Sequence, residues 1–85
     1  MDTWYLVECY TKNPDTGEGG WDIQFIFVQA RSQTEAVELA SRHLPNYDEM
    51  ITCGQVCGPE PLSGCQSLVL QRGASTPELL EARAT

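Results

Sequence analysis

Apolar residues alternate with other side chains along two early stretches of the chain, then recur at helical spacing along a third. The longest continuous pattern is WDIQFIFVQARSQTEAVELASRHL, residues 21–44. Its first part, Trp21–Ala30, is dominated by aromatic and β-branched residues, which suit a pleated surface. A period of two splits it into faces. Gln24, Ile26, Val28 and Ala30 share one face, and Trp21, Ile23, Phe25, Phe27 and Gln29 share the other. Both faces are largely apolar, as in a central strand covered on both sides, or on one side by a partner.

After Ala30 the period changes. Ala36, Val37, Leu39, Ala40 and Leu44 recur at helical spacing, with Glu35, Glu38, Ser41 and Arg42 on the wet side. Residues 32–35, Ser-Gln-Thr-Glu, read as a capping box. In that motif Ser32 accepts from the Glu35 amide, and the Glu35 carboxylate reaches back to the Ser32 amide. Pro45 stops the helix, because proline disfavours α geometry at the residue before it. The pattern predicts a helix over Gln33–His43. A helix of that length is marginal in water by itself, so it must pack on the sheet. Its seat is the Ile26, Val28 and Ala30 face.

The rest of the chain is read around this unit. Residues 4–11, WYLVECYT, predict a second strand. Glu8 turns the face of Trp4, Leu6, Glu8 and Tyr10 toward water or a partner, which leaves Tyr5, Val7 and Cys9 toward the helix. Residues 12–20, KNPDTGEGG, are a turn-rich loop joining the two strands as an antiparallel hairpin. Residues 50–56, MITCGQV, predict a weaker strand whose glycine marks a bulge. Residues 58–64 are a loop whose prolines prevent regular pairing. Residues 65–72, CQSLVLQR, predict another strand. Proline at a first helical position then predicts a short helix from Ser75 to about Arg83. The expected architecture is α+β, in the order β-β-α-β-β. It comprises a three- to four-stranded antiparallel sheet with one amphipathic helix on one face. Residues 1–74 form the single domain, and 75–85 a helical tail that frays or docks.

Length allows one domain with a small core. No run approaches the ~18 apolar residues of a membrane span. The start, MDTWYLVECY, lacks the basic region of a signal peptide, which predicts a cytoplasmic protein with reduced thiols. Twelve carboxylates against five Lys and Arg leave a net charge of −7. That balance argues against direct contact with nucleic acid, whose affinity comes from neutralised phosphates, and against anionic membranes. It serves solubility, and it also favours a basic protein partner, such as a nucleic-acid-handling enzyme.

Candidate chemistry is sparse. The four cysteines, which His43 could join, are the only metal-like set, and Cys53, Cys57 and Cys65 lack the paired C-x2-C knuckles of a zinc ribbon. A small zinc- or thiol-dependent module built on them is the alternative reading. Cys57 and Cys65 flank the proline loop and would form a disulfide only if the fold joins them. Cys9 reads as a small core residue. His43, the single histidine, falls in the last helical turn, where its cation complements the dipole. Paired carboxylates, Asp48 with Glu49 and Glu35 with Glu38, read as a solvated turn and a wet helix face. No enzyme activity and no cofactor are expected. The aromatic residues opposite the helix carry the functional expectation, because they exceed what a small monomer leaves exposed. Trp4, Tyr10, Trp21, Phe25 and Phe27 would anchor a partner, with Glu8, Asp15, Glu18 and Asp22 as a charged rim. Self-association into a homodimer through the same face is a further outcome, and a tail carrying Leu79 and Leu80 across it is another. The sheet aromatics lack the basic motif of an RNA-recognition sheet.

In size, charge and the strand-helix pattern VQARSQTEAVELA, the chain resembles the small acidic accessory proteins of phages and mobile elements, including anti-CRISPR inhibitors. The resemblance implies a compact α+β domain that binds a host nucleic-acid enzyme and blocks it. It implies no particular functional residues.

Overall fold

The computed structural model describes residues 2–12, 21–60 and 66–80. Strand β1 spans Thr3–Lys12 and β2 spans Trp21–Ala30. Helix α1 spans Gln33–His43, and β3 follows at Glu49–Val56. Two short strands complete the order, β4 at Ser67–Leu70 and β5 at Glu78–Leu80. The strands form one five-stranded sheet in the order β3-β1-β2-β4-β5.

β1 and β2 pair antiparallel along their full lengths, from Thr3 opposite Ala30 to Lys12 opposite Trp21. β3 pairs antiparallel with the other edge of β1, so it runs parallel to β2 with β1 between them. A parallel return needs a crossover connection, and α1 supplies it. The helix lies over β3, β1 and β2. Its buried face is made of two alanines, Ala36 and Ala40, which let the helix approach the sheet closely. Beneath them lie Val7 and Cys9 of β1 with Ile26, Val28 and Ala30 of β2, all fully buried. Leu39, Leu44, Tyr47 and Met50 close the margin of this core.

The helix begins as its sequence dictates, with one change. The Ser32 hydroxyl accepts from the Glu35 amide at 3.1 Å. The Glu35 carboxylate reaches past Ser32 and accepts from the Arg31 amide at 3.2 Å. It also takes an ion pair from Arg72 at 2.7 Å, and Arg72 lies 3.3 Å from Asp2. This carboxylate thus ties the start of the helix to the turn after β4 and to the N-terminal lead-in. At the other end the Leu44 amide donates to the Ala40 carbonyl at 2.9 Å. Arg42 and His43 occupy the last turn, where cations complement the dipole.

The sheet departs from the expected one in three ways. It has five strands and is mixed, because β4 pairs parallel with β2, from Phe25 opposite Ser67 to Val28 opposite Leu70. Strand composition carries no direction, so a four-residue SLVL strand reads the same either way. Second, the strand read at 65–72 is shorter, Ser67–Leu70. Third, Glu78–Leu80 is strand β5, antiparallel to β4, where a helix was expected. The free edge of β4 satisfies the backbone of these residues more fully than a short helix in water would.

The candidate functional surface: the open face of the sheet

The two-residue period of the strands places Trp4, Leu6, Glu8 and Tyr10 of β1 on the face away from the helix. Their β2 neighbours on this face are Gln29, Phe27, Phe25 and Ile23, in that pairing order. On the other side of β1, Val56, Gly54, Ile51 and Glu49 stand opposite the same four residues. The pairing slips between Leu6 and Val7, so that Cys53 is the extra residue of a bulge. Gly54 accommodates it with φ +119°, a conformation that L side chains rarely adopt.

This face is not uniform. Phe27, in the middle of the sheet, is only 2% exposed, and Ser67 of β4 is fully buried. Phe27 is therefore interior, and the expectation that it anchors a partner is corrected, because a side chain with almost no solvent-exposed surface offers a partner nothing to grip. Trp4, Tyr10 and Phe25 are half-buried. Toward the Tyr10 end the face opens further. Ile23 is 51% and Ile51 47% exposed. These two, which the sequence pattern gave no special place, flank Tyr10 and, with Glu49, line a shallow hollow of about 330 Å³. Their exposure follows from position at the strand ends, which the period of two does not encode. Trp21 and Asp22 lie on β2 beyond Ile23, and Asp15 and Glu18 lie outside the described residues.

Glu8 stands at the centre of the face, between Ile51 and Phe25. The Tyr10 hydroxyl donates to its Oε2 atom. That hydrogen bond, then burial, then the nearby negative charge push the Tyr10 phenol up to about 12. The Cys53 thiol is pushed up to about 11, first by loss of hydration and second by the neighbouring Glu8. Both groups are therefore protonated at neutral pH. Cys9, in the core, is raised to about 11 by burial alone. The described arginines pair elsewhere. Arg42 pairs with Glu38 at 3.1 Å, Arg72 with Glu35 and Asp2, and Arg31 with Asp2 at 4.0 Å.

The described cysteines do not converge. Cys53 and Cys57 are exposed free thiols, one at the bulge and the other past the end of β3. Four residues of strand separate positions by about 13 Å, too far for two sulfurs to share one zinc with bonds of about 2.3 Å. Cys65 lies outside the described residues. Among the described residues no three His, Cys, Asp or Glu side chains gather to hold a metal, and His43 sits beside Leu39, Arg42 and Leu70. Among them too, no helix is long and apolar enough to cross a membrane. No family model, no curated protein and no solved structure matches this chain, so its reading rests on the residues and the fold.

Proposed function

We propose that this chain is a non-enzymatic cytoplasmic protein-binding module that inhibits a nucleic-acid-handling enzyme, as the resemblance to anti-CRISPR proteins implies. One observation carries the reading: an apolar, aromatic sheet face left open by the helix, with carboxylates set into it and the described arginines paired elsewhere. Trp4, Tyr10, Phe25, Ile23 and Ile51 supply the apolar contact, and Glu8 and Glu49 the charge. Interface centres are rich in such aromatics, and exposed apolar surface on a small chain is kept for a purpose. A partner with a basic surface fits better than a second copy. A two-fold pairing of this face would set the same carboxylates against each other. Nucleic-acid enzymes carry the basic surfaces that such a face complements.

The test is affinity purification from a host extract, followed by calorimetry with each purified candidate. The expected partner is a basic nucleic-acid enzyme that loses activity on binding. Affinity should fall with added salt, and Ile51→Asp should cost roughly 2 kcal/mol or more, as hot-spot losses do. Binding that ignores both salt and Ile51→Asp overturns the reading.

A further inference from the structure

We propose that the hollow between Tyr10, Ile23, Glu49 and Ile51 seats one arginine side chain of the basic partner, an inference that rests on the protein-binding reading above. Three observations converge on this chemistry. The hollow is lined by two exposed isoleucines and a tyrosine ring, which suit the apolar stem of a long side chain and the flat face of a guanidinium. It carries a carboxylate on one wall, Glu49, and borders a second, Glu8, two residues along β1 from Tyr10. Third, Glu8 has acceptor positions open to a further donor. An ionised carboxylate has about four acceptor positions. Tyr10 uses one, which leaves room for the two parallel donors of a guanidinium. The described arginines are all engaged away from this face.

Arginine fits the seat better than lysine. Its planar fork bonds a carboxylate through two hydrogens and stacks on aromatic rings, and it is more weakly hydrated than an ammonium. Tyr10 then has two roles. Its hydroxyl holds Glu8 in place, and its ring forms part of the floor.

The probe is a short peptide, Gly-Arg-Gly with blocked ends, titrated into the isotopically labelled full chain and followed by amide shifts. Matched peptides carrying lysine or citrulline serve as comparisons. The expected result is saturable shifts centred on Ile23, Glu49 and Ile51, weaker with lysine and absent with citrulline. Glu8→Gln keeps the Tyr10 acceptor and the side-chain volume, and should weaken arginine binding about tenfold or more. Glu49→Gln should weaken it less. Equal response to lysine and arginine, or unchanged binding in Glu8→Gln, overturns the seat. A gain on Lys12→Ala also overturns it, because the chain's own lysine would then be the occupant. Failure here is separable from failure of the wider reading. If Glu8→Gln leaves partner affinity intact while Ile51→Asp abolishes it, the face is an interface without an arginine seat. If neither substitution changes partner affinity, the face is not the interface.

Discussion

The two faces of this sheet are built from the same strands and similar residues, yet they differ in what completes them. Under the helix, Val7, Cys9, Ile26, Val28 and Ala30 meet Ala36 and Ala40 and are fully buried. On the other side, Ile23 and Ile51 remain about half exposed, and a carboxylate stands among the aromatics. Apolar content alone does not separate a core from a contact surface. The separation comes from whether another element of the chain covers the residues. Phe27 marks the boundary: it points away from the helix and is nonetheless closed in.

The sharpest way to break the comparison is Phe27→Ala. If Phe27 is interior, the substitution should cost about 3–5 kcal/mol of unfolding free energy, the range for a buried aromatic. Ile26→Ala, beneath the helix, should cost about 2–5 kcal/mol. Ile51→Ala, on the open face, should stay within about 1 kcal/mol. Urea denaturation of the three variants measures this directly. Similar losses for Ile26→Ala and Ile51→Ala would mean that the open face is core after all.

A smaller effect probes the junction that holds the covered face in place. Ser32→Ala removes the helix cap and should cost about 1 kcal/mol. Glu35 in the same motif gives a pH signature. Its hydrogen bond from the Arg31 amide, then its bond to Arg72, hold its carboxyl below the usual value. The folded state therefore gains from the ionised form. That contribution is complete above the ordinary carboxylate value and is lost as pH falls through the lower folded value. Arg72→Ala should flatten the acid limb of a melting-temperature profile, and an unchanged limb would remove Glu35 from the account.

The smallest effects sharpen the open side. The Ser67 hydroxyl is buried and has no hydrogen-bond partner among the described residues. Ser67→Ala should be neutral or stabilise by about 1 kcal/mol, because an unsatisfied buried group is removed. A clear loss would reveal a partner for that oxygen. Alkylation of Cys53 should be slow at pH 8 and accelerate about tenfold per pH unit, since its thiol is pushed up to about 11. Glu8→Gln should speed it by removing the neighbouring charge. Mass spectrometry of partly labelled native protein distinguishes the two cases, and equal rates would separate Cys53 from Glu8.

Local rules made half of this molecule legible in its sequence. The bounds of β2 and α1, the Ser32 cap and the inward set Tyr5, Val7 and Cys9 follow from periodicity and capping. So does the bulge at Gly54, where no side chain is needed. These features depend on residues within a few positions of one another. The open face was legible as a list of residues. The hollow beside Tyr10 was not, because Ile23 and Ile51 come from different strands and meet only through register.

By itself the sequence determined the hairpin, the helix and which side chains share a strand face. These are consequences of a backbone with two soft torsions per residue and of side chains that alternate or wind with fixed periods. Only the tertiary structure decided that β4 lies parallel beside β2, that Glu78–Leu80 extends the sheet, and that Phe27 is interior while Ile51 is not. Strand direction and burial depend on which distant segment arrives at an edge or a face. No local period records that arrival, because its free energy comes from pairing and covering surface between residues far apart in the chain.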